Sequence, residues 1–182
     1  MITNLKALIG KLNHTTRNAL EAAAGYCLSR THYDVEIEHY LAKLLDATDS
    51  DLARILKHFG VNKSHFTSDL TRSLDKLKSG NARTPAFSPT LVKMFTEAWM
   101  LGTIDHGASQ IRTGFTVLAL VTNSELKLLV REVTREFQKI DPEALRKDFY
   151  SIVAGSPEDA ETAMAASIPG LGAPAPGAPG AR

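Results

Sequence analysis

The sequence has one cysteine in 182 residues, Cys27, so no intrachain disulfide can form and a reducing compartment fits. Flanked by Tyr26 and Leu28 in an apolar helical stretch, Cys27 reads as a small buried hydrophobe, not a reactive thiol. No sign of charge dominates. Against 20 Asp and Glu stand 21 Lys and Arg, a net charge of +1 without a basic stripe, which argues against a nucleic-acid binder. Long apolar runs are missing too. The longest, Val117 to Val121, falls far short of the roughly 20 residues that cross a bilayer. Met1 to Lys6 lacks the basic and apolar regions of a signal peptide, so a cytoplasmic protein without membrane contact is expected.

Catalytic devices are equally sparse. The string Gly60-Val61-Asn62-Lys63-Ser64 lacks the second glycine of a phosphate loop and follows a helix where a strand is required. The six histidines (His14, His32, His39, His58, His65, His106) form no tight pair at metal spacing, so neither metal nor cofactor is expected. Asp34, Glu36 and Glu38 invite a general acid/base reading. They sit better at a helix start, where carboxylates complement the dipole, and Glu36 is placed to hydrogen-bond His39. Arg17, Arg30, Lys93 and Arg112 are assigned to solvated faces. No enzyme is expected in this chain.

What the sequence does contain is helix. Leu5, Leu8, Ile9 and Leu12 recur at helical spacing in a short amphipathic first helix (1–14). Thr15 is the candidate cap of a second helix, Asp49 of a fourth and Asn62 of a fifth. Ser88-Pro89 and Asp141-Pro142 each pair a capping side chain with proline at the first helical position. Beyond Gly155, residues 156–182 hold five of the eight prolines and four glycines. That composition reads as a flexible linker to a further module, whose removal should leave stability unchanged.

The two halves match each other. An offset of 76 superposes Ala19 on Phe95, Leu28 on Ile104, Val35 on Ile111, Leu41 on Val117 and Leu44 on Leu120. An offset of 79 superposes Val61-Asn62 on Ile140-Asp141 and Phe66 on Leu145. The expected fold is all-α: two pseudo-symmetric helical repeats, 15–80 and 81–155, plus the extra N-terminal helix. A half of this size is marginal alone, and two packed together share a core and form a groove at their junction.

These residues also carry a resemblance. Arg17-Asn18-Ala19-Leu20-Glu21-Ala22-Ala23 and the run from Val35 through Glu36, Ile37, Glu38 and His39 to Leu45 resemble the Clp repeat of the Clp/Hsp100 AAA+ unfoldases. His39 stands at the family's signature histidine, and Phe115 replaces it in the second copy. The segment Leu28 to His39 and the leading Leu5-to-Leu12 helix are similar to the ClpV (TssH) branch, the type VI secretion ATPases. The resemblance implies a substrate-recognition domain. Its partner would be an N-terminal helix of the contracted secretion sheath (TssC/VipB-like), which the hexameric ATPase ring then disassembles. It further implies a groove lined by Leu5, Leu8, Ile9, Ala22, Tyr26, Phe87, Leu91 and Phe95, and without ring contacts the isolated domain is expected to be a monomer. The competing readings are a general Clp N-domain recruiting adaptors or unfolded chains, and a small helical enzyme using Glu36, His39 or Asp34.

Overall fold

A computed structural model describes residues 5–161. An extra helix, α1 (Leu5–Gly10), precedes the first repeat, which comprises α2 (His14–Ser29), strand β1 (Asp34–Val35), α3 (Ile37–Leu44), α4 (Asp51–His58) and α5 (Lys63–Asp75). The second runs β2 (Ala86–Phe87), α6 (Pro89–His106), α7 (Thr113–Thr122), α8 (Ser124–Val133), a 3-10 turn (Glu136–Lys139), α9 (Pro142–Lys147) and α10 (Phe149–Ile152). The fold is the expected all-α pair of repeats preceded by one extra helix.

Caps decide most of the boundaries. Asn62, Ser88 and Asp141 each accept a backbone N–H from the first turn of the helix they precede, and Pro89 and Pro142 occupy first-turn positions. Two caps differ from expectation. Asn13, not Thr15, caps α2, and Ser50, not Asp49, caps α4. The neighbouring side chain is used elsewhere: Asp49 pairs with Arg54 at 2.9 Å, and Thr15 donates to Glu161.

The repeats clasp each other reciprocally. Ahead of α6, β2 pairs in parallel with β1, and Ser88 N–H donates to Val35 O at 3.0 Å. Ahead of α2, Leu12 bridges Ile111, and Asn13 N–H donates to Ile111 O at 3.0 Å. So the residue that caps each long helix hangs on the loop of the other repeat. Tyr40 and Thr116, 76 residues apart, share a hydrogen bond at 2.9 Å. Equivalent residues of two repeats touch only near the axis relating them, so the pseudo-dyad passes here. The matched pair Leu28 and Ile104 is exposed in both halves.

Around that axis the core is continuous. α7 is buried along Thr113–Val121 and packs in the middle of the domain. Its approach to α6 depends on Gly102, where a Cβ would lie 2.6 Å from the Phe115 ring. Cys27 is fully buried as expected, and burial pushes its thiol up to about 11. Among the described residues no single helix is long and apolar enough to cross a membrane.

Candidate functional site

α1 lies outside the repeats and against α6. Its inner face, Leu5, Leu8 and Ile9, meets Leu20 of α2, Phe87 of β2, and Leu91, Val92 and Phe95 of α6 in an apolar seam. Spacing explains the convergence: positions three or four apart share one face of a helix, so Leu5, Leu8 and Ile9 point together, as do Leu91 and Phe95. The seam is nearly shut, enclosing about 10 Å³. Leu8, Leu91 and Phe95 form its buried floor, and Leu5, Ile9, Phe87 and Val92 form a half-buried rim. Lys11, just past α1, places its ammonium 5.2 Å from the Trp99 ring centre on α6.

Six of the eight residues named for the groove therefore come together, three of them as floor. Ala22 and Tyr26 do not join them. They sit one turn apart on a different face of α2 from Leu20; Ala22 is exposed, and Tyr26 packs edge-on against His39, under the Lys43 ammonium at 4.6 Å. Periodicity shows which residues share a face, not which neighbour that face meets. Leu12, Leu20 and Val92, from the same apolar stripes, line the seam as well.

A larger groove lies elsewhere. About 480 Å³ opens between α3, α5 and α8, with Ile37, Leu41, Leu77 and Val133 among its apolar lining and Glu38 and Arg72 among its charges. Its three helices are distant in sequence, so no local pattern marks it.

Behind α1 lies a buried polar hub. Arg112, assigned to a solvated face, is instead 2 % exposed, and its guanidinium grips Asp51 through two hydrogen bonds of 2.8 Å. Burying a charge demands a partner this well placed. Beside it, Glu158 is fully buried. One carboxylate oxygen accepts from Asn13 Nδ2 at 2.9 Å and Thr113 N–H at 2.8 Å. The other accepts from Asp51 N–H at 2.8 Å and Thr113 Oγ1 at 2.5 Å. Burial first, then the Asp51 carboxylate, push the Glu158 carboxyl up to about 7 against these donors.

The expected linker thus does not start at 156. Ser156 and Glu158 are buried, 157–161 is helical, and Asp159 pairs with Arg112 at 2.7 Å. Polar partners, not apolar surface, hold this segment, so its composition concealed the packing. A cut after Gly155 would remove them all. Residues 162–182, the remainder of that expected linker, lie outside the described residues.

The histidines also depart from expectation. His32 Nδ1 and His39 Nε2 stand 2.8 Å apart in the interior. Glu36 N–H donates to His39 Nδ1 at 2.9 Å, which makes His39 Nε2 the protonated nitrogen and His32 Nδ1 its acceptor. Both rings are therefore neutral; burial lowers His32, and brings His39 down to about 4. Two imidazoles satisfied by each other and by a helix cap are structural. Among the described residues no group of three or more His, Cys, Asp or Glu side chains could hold a metal.

Two clasped helical repeats, with an apolar seam under an added helix, define a two-repeat helical domain. The chain belongs to the Clp repeat (R) N-terminal domain family, which matches residues 11–133. The AAA+ ATPase ClpV1 of Pseudomonas aeruginosa is 34% identical over 180 residues, 96% of this chain and 20% of that protein. The chaperone protein ClpB of Yersinia enterocolitica is 32% identical over 163 residues, 90% of this chain and 18% of that protein. The chain spans about a fifth of the length of these relatives. A solved complex of a ClpV N-domain with a VipB peptide aligns with TM-score 0.74 and 33% identity, covering 87% of this chain and 96% of that one.

Proposed function

We propose that this domain recruits substrate for a cytoplasmic AAA+ unfoldase of type VI secretion, binding an amphipathic helix at the N-terminus of the larger sheath subunit. The observation that carries the reading is the seam under α1, on a domain similar to one solved with a VipB peptide. The helix would seat its apolar stripe against the rim of Leu5, Ile9, Phe87 and Val92, opening the seam toward its floor. Burying one leucine contributes about 1.5–3 kcal/mol, so a few such anchors leave micromolar affinity after the costs of association. Residues 1–14 supply the added wall, 15–80 and 81–155 the repeats, 156–161 a packed closing segment, and the chain beyond 161 a tether to the ATPase module. The isolated domain is a monomer without catalysis, and the assembled ATPase is a hexamer. Neither nucleic acid nor membrane takes part.

The test is a calorimetric titration with a synthetic N-terminal peptide of the larger sheath subunit, alongside Leu5→Glu and Phe87→Glu variants verified by circular dichroism. Micromolar binding, weakened at least tenfold in each folded variant, is expected. Binding that ignores both variants would move the site to the groove between α3, α5 and α8. The similarity to ClpB supports a second reading, recruitment of unfolded or adaptor proteins. Failure of the sheath peptide together with binding of a denatured model protein would favour it.

A further inference from the structure

We infer that residues 156–161 are a latch that holds α1 in place over the seam, with Glu158 and Glu161 as positioning residues for the binding groove. This rests on the seam being the groove. The segment departs from α10 and is pinned at once: Arg54 Nη1 donates to Ala154 O at 2.9 Å, and Gly155 N–H donates to Asp159. Glu158 then enters the interior and Glu161 follows one turn later.

Both carboxylates land on the start of α2, directly behind α1. Glu158 takes the Asn13 amide, whose carbonyl oxygen caps α2 through Thr16 N–H at 2.9 Å. Glu161 takes Thr15 N–H at 3.0 Å and the Thr15 hydroxyl. One residue before Asn13, Leu12 is both a lining residue of the seam and the bridge partner of Ile111. Before that, Lys11 O accepts Ile111 N–H at 2.7 Å while its side chain covers Trp99. α1 itself has six residues, too short to hold a fixed position by its own hydrogen bonds. Its orientation is set by its apolar face on α6 and by the 11–13 connection, and that connection is fastened by the outgoing chain. Displacing the chain at Glu161 therefore reaches the wall of the groove through two side chains.

Glu161→Ala keeps the buried hub intact and so tests the latch without endangering the fold; Glu158→Gln keeps the shape and removes the charge. Amide hydrogen exchange is measured on the full chain well below its melting point, with α5 as internal reference. In both variants the amides of Leu8 to Asn13 are expected to exchange at least fivefold faster, with those of α5 unchanged. The Kd for the sheath peptide should rise three- to tenfold in Glu161→Ala, with a melting point within about 2 °C of wild type. Uniformly faster exchange would make these residues merely structural and overturn the latch, as would unchanged exchange at 8–13. Should the wild-type domain not bind the peptide, the functional reading fails, while the exchange pattern still decides whether α1 is held from 156–161.

Discussion

The starts of α3 and α7 are related by the internal symmetry, yet they are satisfied by opposite means. Glu36 and Arg112, 76 residues apart, are the capping residues. At α3 the capping box is local: Glu36 N–H donates to the His39 ring three residues on, and His39 passes the chain to His32. At α7 the help comes from far away. Thr113 N–H goes to Glu158 and Gly114 N–H to Asp51 at 3.2 Å, while Arg112 neutralises Asp51. The ring environments diverge in step. Tyr26 packs edge-on against His39 in the first repeat, whereas its equivalent Gly102 clears space for Phe115, which stacks on His106 and Phe149. Burial accounts for the difference. α3, with one face buried, caps itself, and α7, buried on every side, draws its caps from packed neighbours.

The largest effect should come from breaking the distant cap. Asp51→Ala strands a buried guanidinium and leaves the Gly114 N–H unpaired, and is expected to cost about 3–5 kcal/mol in urea unfolding. The double variant Asp51→Leu with Arg112→Met should recover part of that loss, because it removes the unpaired charge as well. A loss below about 1 kcal/mol for Asp51→Ala would mean that Arg112 finds sufficient compensation in Asp159.

Next is Gly102→Ala. A methyl 2.6 Å from the Phe115 ring is overpacked, and about 1–3 kcal/mol of destabilisation follows although alanine is the better helix former. Gly25→Ala, one position before the equivalent Tyr26, has nothing within 4 Å of the added carbon and should stabilise by a few tenths to about 1 kcal/mol. Opposite signs in the two equivalent helices would show that packing against the neighbouring helix of the same repeat, not propensity, decides.

Legibility in the sequence divides along the same line. Ser88-Pro89, Asn62 and Asp141-Pro142 announce their helices because a cap and its partner lie within three residues. The repeat offset is readable because the apolar faces of both halves must meet one core. The face shared by Leu5, Leu8 and Ile9 is readable for the same reason. Arg112 is not: a charged side chain reads as solvated unless its counter-ion is known, and Asp51 lies 61 residues away. Glu158, sandwiched between Pro157 and an Ala-rich tract, gives no local sign that four donors await it. Tyr26 enters the groove only through the resemblance, and the structure turns it toward His39.

An effect read as a small difference between two melting curves sharpens the comparison by making the first repeat like the second. His39→Phe installs the residue found at 115, removing both the ring acceptor of the Glu36 N–H and the donor to His32. At pH 7 the loss of that cap should lower the melting point by a few degrees. Acidification should then narrow the gap. His39 is neutral in the folded protein down to about 4, whereas the unfolded chain takes up the proton near 6.5. Between those values the unfolded state binds more protons, so the wild type loses stability as pH falls from 6.5 toward 4, and the variant lacks this contribution. Glu158 has the opposite slope, its raised carboxyl costing stability as pH rises from its ordinary range through about 7. That slope is common to both proteins and cancels in their difference. Melting points compared at pH 7.5, 6, 5 and 4.5 should therefore converge downward. A gap that stays constant would mean the histidine pair accepts a proton without opening, so that the local cap of the first repeat tolerates a charge at least as well as the second repeat's phenylalanine avoids one.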